Sequence, residues 1–85
     1  MVNETDWEAR ANGLLKSELQ RRDVTYGQLV EKLAEIGVAE SEPSIRNKLA
    51  RGNFTAAFML QCLAAIGAKE LHLDDEGSVN IREFR

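Results

Sequence analysis

Capping residues open, and glycines close, each of three successive segments of this chain. That punctuation constrains the fold more than any other feature. Thr25-Tyr26-Gly27-Gln28 has the cap-x-x-Gln pattern of a capping box: hydroxyl and side-chain amide each satisfy a backbone N–H that the first helical turn leaves open. Val24 and Leu29 have the spacing of a hydrophobic staple around it. Leu29, Val30, Leu33, Ala34 and Ile36 then form an apolar stripe that ends at Gly37, a residue free to turn left-handed because it has no Cβ. The next segment starts at Ser41 or Glu42, with Pro43 in the first turn where no N–H is needed. It carries Ile45 and Leu49 and closes at Gly52. The last starts at Thr55, with Phe54 and Met59 spaced as a staple, and runs through Phe58, Leu60, Cys62, Leu63 and Ile66 to Gly67. Being apolar on most sides, it is expected at the centre of the fold.

A longer helix precedes these three. Thr5-Asp6-Trp7-Glu8 fits a second capping box, and Trp7, Ala11, Leu14, Leu15 and Leu19 recur at helical spacing up to Asp23. Trp7 is expected to anchor this helix in the core. After the helices, Leu71 and Leu73 flank His72, and Val79 and Ile81 flank Asn80, with Asp74-Asp75-Glu76-Gly77 between as turn chemistry; this predicts a small hairpin. The expected fold class is all-α: one domain over residues 1–85, a compact four-helix core over 5–70 and an extension over 71–85. With one Cys in 85 residues there is no internal disulfide, so packing alone must hold the fold.

The link Gly37-Val38-Ala39-Glu40 joins an amphipathic helix to a short polar one, which is the outline of a helix-turn-helix. At about 100° per residue, Ile45 and Leu49 define the buried side of the short helix. Asn47 then falls almost opposite, flanked by Ser44 and Arg51, with Arg46 and Lys48 at the sides. An Asn pairs with adenine through both amide atoms and an Arg with guanine through two donors, so this face suits a major groove. Phosphates take cations, hydroxyls and N–H groups at helix starts, so Lys48, Asn53, Thr55 and the starts of the helices at Thr25 and Thr55 are the expected phosphate contacts. Net charge over the whole chain is −3, which suits a polyanion poorly, yet residues 43–69 carry Arg46, Lys48, Arg51 and Lys69 and no acid. A local cluster, not the total, governs where a polyanion docks.

Reactive constellations are not expected. His72 is the one His and Cys62 the one thiol. No catalytic residue, metal ligand or cofactor is therefore expected, and Cys62 reads as a small core residue. The longest uncharged apolar stretch, Phe54 to Ala68, is short for a bilayer. With no signal-like start, the expected location is the cytoplasm.

Thr25 to Ile66 resembles the helix-turn-helix domains of the λ repressor and Cro type. Thr25-Tyr26-Gly27-Gln28-Leu29-Val30 matches the start of that family's second helix, Gly37-Val38 its turn, and Ile45 and Gly52 its recognition helix and end. Tyr26 stands where these repressors often put a phosphate-binding Gln, so the resemblance implies that its hydroxyl donates to a phosphate. The string from Ile45-Arg46-Asn47-Lys48 through Arg51-Gly52-Asn53-Phe54-Thr55 to Gln61-Cys62-Leu63 is also similar to a narrower group of small bacterial proteins classed as a domain of unknown function. The resemblance and the outward face of helix 41–51 imply a DNA-binding transcriptional regulator that reads double-stranded DNA with that helix. One recognition helix contacts few base pairs, so a homodimer on paired half-sites is expected, with the apolar tail strands as the expected dimer surface. The alternative is a protein–protein interaction module, or an antitoxin-like binder, on the same scaffold, with a protein partner for its acidic flanks.

Overall fold

Four helices precede a two-stranded hairpin in the computed structural model, which describes residues 4–68, 70–73 and 79–82. They are α1 (Glu4–Arg21), α2 (Tyr26–Glu35), α3 (Glu42–Arg51) and α4 (Ala56–Ala65), followed by β1 (Glu70–Leu73) and β2 (Val79–Arg82). The all-α reading of the core holds.

Three helices start as their caps dictate. The Thr25 hydroxyl accepts the Gln28 N–H at 3.1 Å, and the Gln28 side-chain oxygen accepts the Thr25 N–H at 2.9 Å. Ser41 accepts from the Ser44 N–H at 3.2 Å, and Thr55 from the Phe58 N–H at 3.0 Å. Three helices also end alike. Past α2, Gly37 turns left-handed at φ 82°, and the N–H groups of Gly37 and Val38 return to the Ala34 and Leu33 carbonyls. Gly67 and Ala68 repeat this on Ala64 and Leu63. In α1 the left-handed position is held by Asp23 (φ 57°), a non-glycine, with Val24 bonding back to Leu19. This is the Schellman motif, which satisfies carbonyls that the last turn leaves open.

One core results. Leu15, Leu29, Leu33, Ile45, Leu49 and Cys62 are fully buried, joined by Leu19, Phe58, Leu63 and Ile66, so every helix contributes. Four expectations need correction. Helix α1 begins at Glu4, so Thr5 lies inside it; the expected Thr5 cap falls on a side chain outside the described residues. Trp7 is 44% exposed rather than a core anchor. The reason is length: an 18-residue helix is about 27 Å long and outruns its ten-residue neighbours of about 15 Å. Helix α4 is not enclosed, because Ala56, Ala57, Leu60 and Ala64 face outward. Ile36 lies at the α2 terminus, beyond the buried stripe, and is also exposed.

The two strands are antiparallel, with Leu71 opposite Ile81 and Leu73 opposite Val79, and β2 packs along α1. The hairpin forms as the alternation predicts. Its turn at Asp74–Gly77 lies outside the described residues.

Candidate nucleic-acid interface

Helix α3 is held by two side chains on one stripe. Ile45 and Leu49, one turn apart, are fully buried, while Arg46, Asn47, Ala50 and Arg51 on the remaining surface are exposed. Asn47 thus points away from the core, as the angular arithmetic predicts. Ser44 is half-buried. Asn53 and Thr55 are exposed in the link to α4; the Thr55 oxygen is committed as a cap, which leaves its hydroxyl proton to donate. Tyr26 opens α2 and packs partly against the core, with the Arg46 guanidinium 5.8 Å from its ring centroid. The structure therefore brings Tyr26 and Arg46 together on the side where α2 starts, while Asn47 stands exposed on α3. It sets Lys48 apart.

The Lys48 ammonium is 2.8 Å from the Glu40 carboxylate and 4.5 Å from the Phe58 ring centroid. Lys48 is only 29% exposed and Glu40 13%. The Lys48 hydrogen bond, and after it one from the Ser44 hydroxyl, hold the Glu40 carboxyl below its ordinary range against the opposing effect of burial. This pair ties the α2–α3 link to α3 and α4. Its geometry makes Lys48 a fastener of α3, turned inward from the flank where spacing alone puts it.

A second carboxylate also folds back. Glu42 accepts from Arg46 at 2.7 Å, both about half exposed. The other Glu42 oxygen lies 3.6 Å from where a Cβ on Gly27 would stand, over the first turn of α2. A helix start concentrates partial positive charge from its open N–H groups. Glu42 thus occupies ground suited to a phosphate. The acid-free stretch from 43 to 69 is accordingly not acid-free in space: Glu40 and Glu42 sit just outside it in sequence and return onto it. Around α3, three cations meet two carboxylates.

Sequence reasoning treated Glu40 only as part of the link. Its partner lies eight residues away, beyond the i,i+4 reach that helical spacing reveals. It also missed an open apolar cleft of about 270 Å³ between the start of α1 and the α3–α4 link, walled by Trp7, Ala11, Phe54, Ala56 and Met59. Among the described residues no cluster of His, Cys, Asp and Glu is arranged to hold a metal ion. Cys62 is fully buried, and burial is the main cause that pushes its thiol up to about 12, so the thiolate that nucleophilic chemistry requires is suppressed. Among the described residues no helix is long and apolar enough to cross a membrane.

No curated protein and no solved structure matches the chain. Residues 7–71, which take in all of α2, α3 and α4 and most of α1, match the family described as Domain of unknown function (DUF6471). The chain belongs to that family.

Proposed function

We propose that this protein is a small, non-enzymatic DNA-binding regulator of transcription that presents α3 to the major groove and acts as a symmetric dimer. One observation carries the reading. Helix α3 is anchored by the buried Ile45 and Leu49 and by the Lys48–Glu40 pair, and leaves Arg46, Asn47 and Arg51 exposed. An amide and two guanidiniums are the groups that pair bidentately with adenine and guanine edges. The resemblance of Thr25 to Ile66 to λ repressor and Cro-type domains points the same way. Tyr26, Asn53 and Thr55 border that face and donate to phosphates, with Ser44 at its edge. Glu42 does not block this role. An exposed Glu–Arg pair is worth at most about 1 kcal/mol, and a phosphate can replace the carboxylate on Arg46.

A titration of random-sequence duplex against salt tests the proposal. Each neutralised phosphate contributes about −0.9 to the slope of log affinity against log salt, so a steep fall is expected. Flat or absent binding at low salt overturns it. The finer expectation concerns Asn47→Ala: it removes about 1–3 kcal/mol of base discrimination while leaving random-sequence binding unchanged.

The two carboxylates on the basic face favour a second reading, a protein-interaction module. On that reading Asn47→Ala and Arg51→Ala leave partner affinity unaltered, and pull-down returns protein in place of DNA.

A further inference from the structure

We propose that two copies of this chain associate through the outer face of α4 and the adjoining cleft, with Leu60 of each copy seated in the cleft of the other. This rests on no DNA contact, though it supplies the dimer that the DNA-binding reading needs, and it places the interface on α4 rather than on the tail strands.

Three observations carry it. First, α4 has no charged residue along its ten positions, yet Ala56, Ala57, Leu60 and Ala64 face solvent, with Leu60 63% exposed. An uncharged helix face of this kind, one leucine among alanines, is suited to contact with another apolar surface. Second, the surface carries a protrusion and a recess side by side. Leu60 follows Ala56 by one turn and adjoins Met59, and both of those residues wall the cleft beside Trp7 and Phe54. The cleft holds about 270 Å³ and is predominantly apolar, which is room for a leucine side chain. An isologous interface needs this self-complementarity: residue i meets j, and j meets i. The small alanines around Leu60 let the two helix backbones approach.

Third, charge permits a second copy here. A twofold axis sets the uncharged α4 face against its own equivalent, so two chains of net charge −3 meet there without opposing like charges. At the rim, Glu8 borders the cleft and the Arg10 guanidinium stacks over Trp7 at 4.6 Å from the ring centroid, so one rim holds both signs. An acidic or basic partner would find no complement on α4.

Trp7 is the only tryptophan, so its emission reports on this cleft alone. The experiment is sedimentation of the full chain over a concentration series, with Trp7 emission recorded in parallel and no DNA present. A monomer–dimer transition is expected, with Trp7 emission moving to shorter wavelength at the same midpoint. Leu60→Arg is expected to raise the dissociation constant at least about tenfold, or a shift of 1.4 kcal/mol, without lowering the melting temperature of the monomer. Leu71→Arg, on exposed β1, is expected to leave it unchanged. A chain that stays monomeric at hundreds of micromolar overturns the proposal. So does a dimer dissolved by Leu71→Arg and not by Leu60→Arg, or one that forms with no change in Trp7 emission. Because no DNA enters the measurement, a failure here leaves the salt titration to judge the DNA reading separately.

Discussion

Two ion pairs in this chain have the same sequence spacing and opposite roles. Glu18–Arg22 and Glu42–Arg46 each place a glutamate four residues before an arginine on a helix. The contact at Glu42 is the shorter, 2.7 Å against 3.2 Å, yet Glu42 and Arg46 are 48% and 56% exposed while Glu18 and Arg22 are 8% and 18%. Glu18 also receives Arg21 at 2.7 Å, and Arg22 goes on to donate to the Ile66 carbonyl at 3.1 Å, at the end of α4. The buried pair therefore locks α1 to α4. The exposed pair holds nothing that water cannot hold. Distance does not rank these contacts; burial does, because removing one partner of a buried pair strands the other charge without solvent. The pair Glu40–Lys48 lies between them in exposure.

Glu18→Ala is the severest test of that ranking and should cost about 3 kcal/mol in chemical denaturation. A loss within the range of a surface pair would erase the distinction. Acid should probe the same carboxylates. Hydrogen bonds first from Arg21 and then from Arg22 hold Glu18 below its ordinary value of 4.5, against burial, and Lys48 does likewise for Glu40. Carboxylates depressed in the folded state stabilise it above their unfolded values, and that stability is lost as pH falls through the folded ones. The melting temperature should accordingly drop below about pH 4.5, and Glu18→Gln should show a shallower drop. An unchanged acid limb in that variant would assign the loss to other groups.

Lys48→Met should fall between the extremes, at about 1–2 kcal/mol, since it unpairs a mostly buried Glu40 but keeps an apolar stem against Phe58. Glu42→Gln should change stability by less than about 0.5 kcal/mol. On the DNA-binding reading it nonetheless frees Arg46 and the start of α2, so affinity for duplex should rise roughly threefold or more at low salt. No gain in affinity would show that Glu42 does not stand where a phosphate docks.

The helices themselves were legible because caps and left-handed stops act locally. Thr25 with Gln28, Ser41, Thr55, Gly37 and Gly67 each operate within a few residues of backbone, and each stands where the sequence puts it. The outward direction of Asn47 was legible for the same reason, since Ile45 and Leu49 fix the rotation of one short helix. The failures share an opposite cause. Trp7 fits the apolar spacing of α1, but whether a helix turn is covered depends on how far its neighbours reach. Leu60 and Met59 are adjacent in α4, and spacing alone cannot say that one points out while the other walls a cleft.

Local backbone chemistry thus settled from the residues alone where α2, α3 and α4 start and stop and which side of α3 is anchored. The burial of Lys48 was decided only on folding, when Glu40 came back from the α2–α3 link over a cation that a linear charge count leaves bare. Coulombic contacts act through space and helix punctuation acts along the chain, so only the first kind had to wait for the packed molecule.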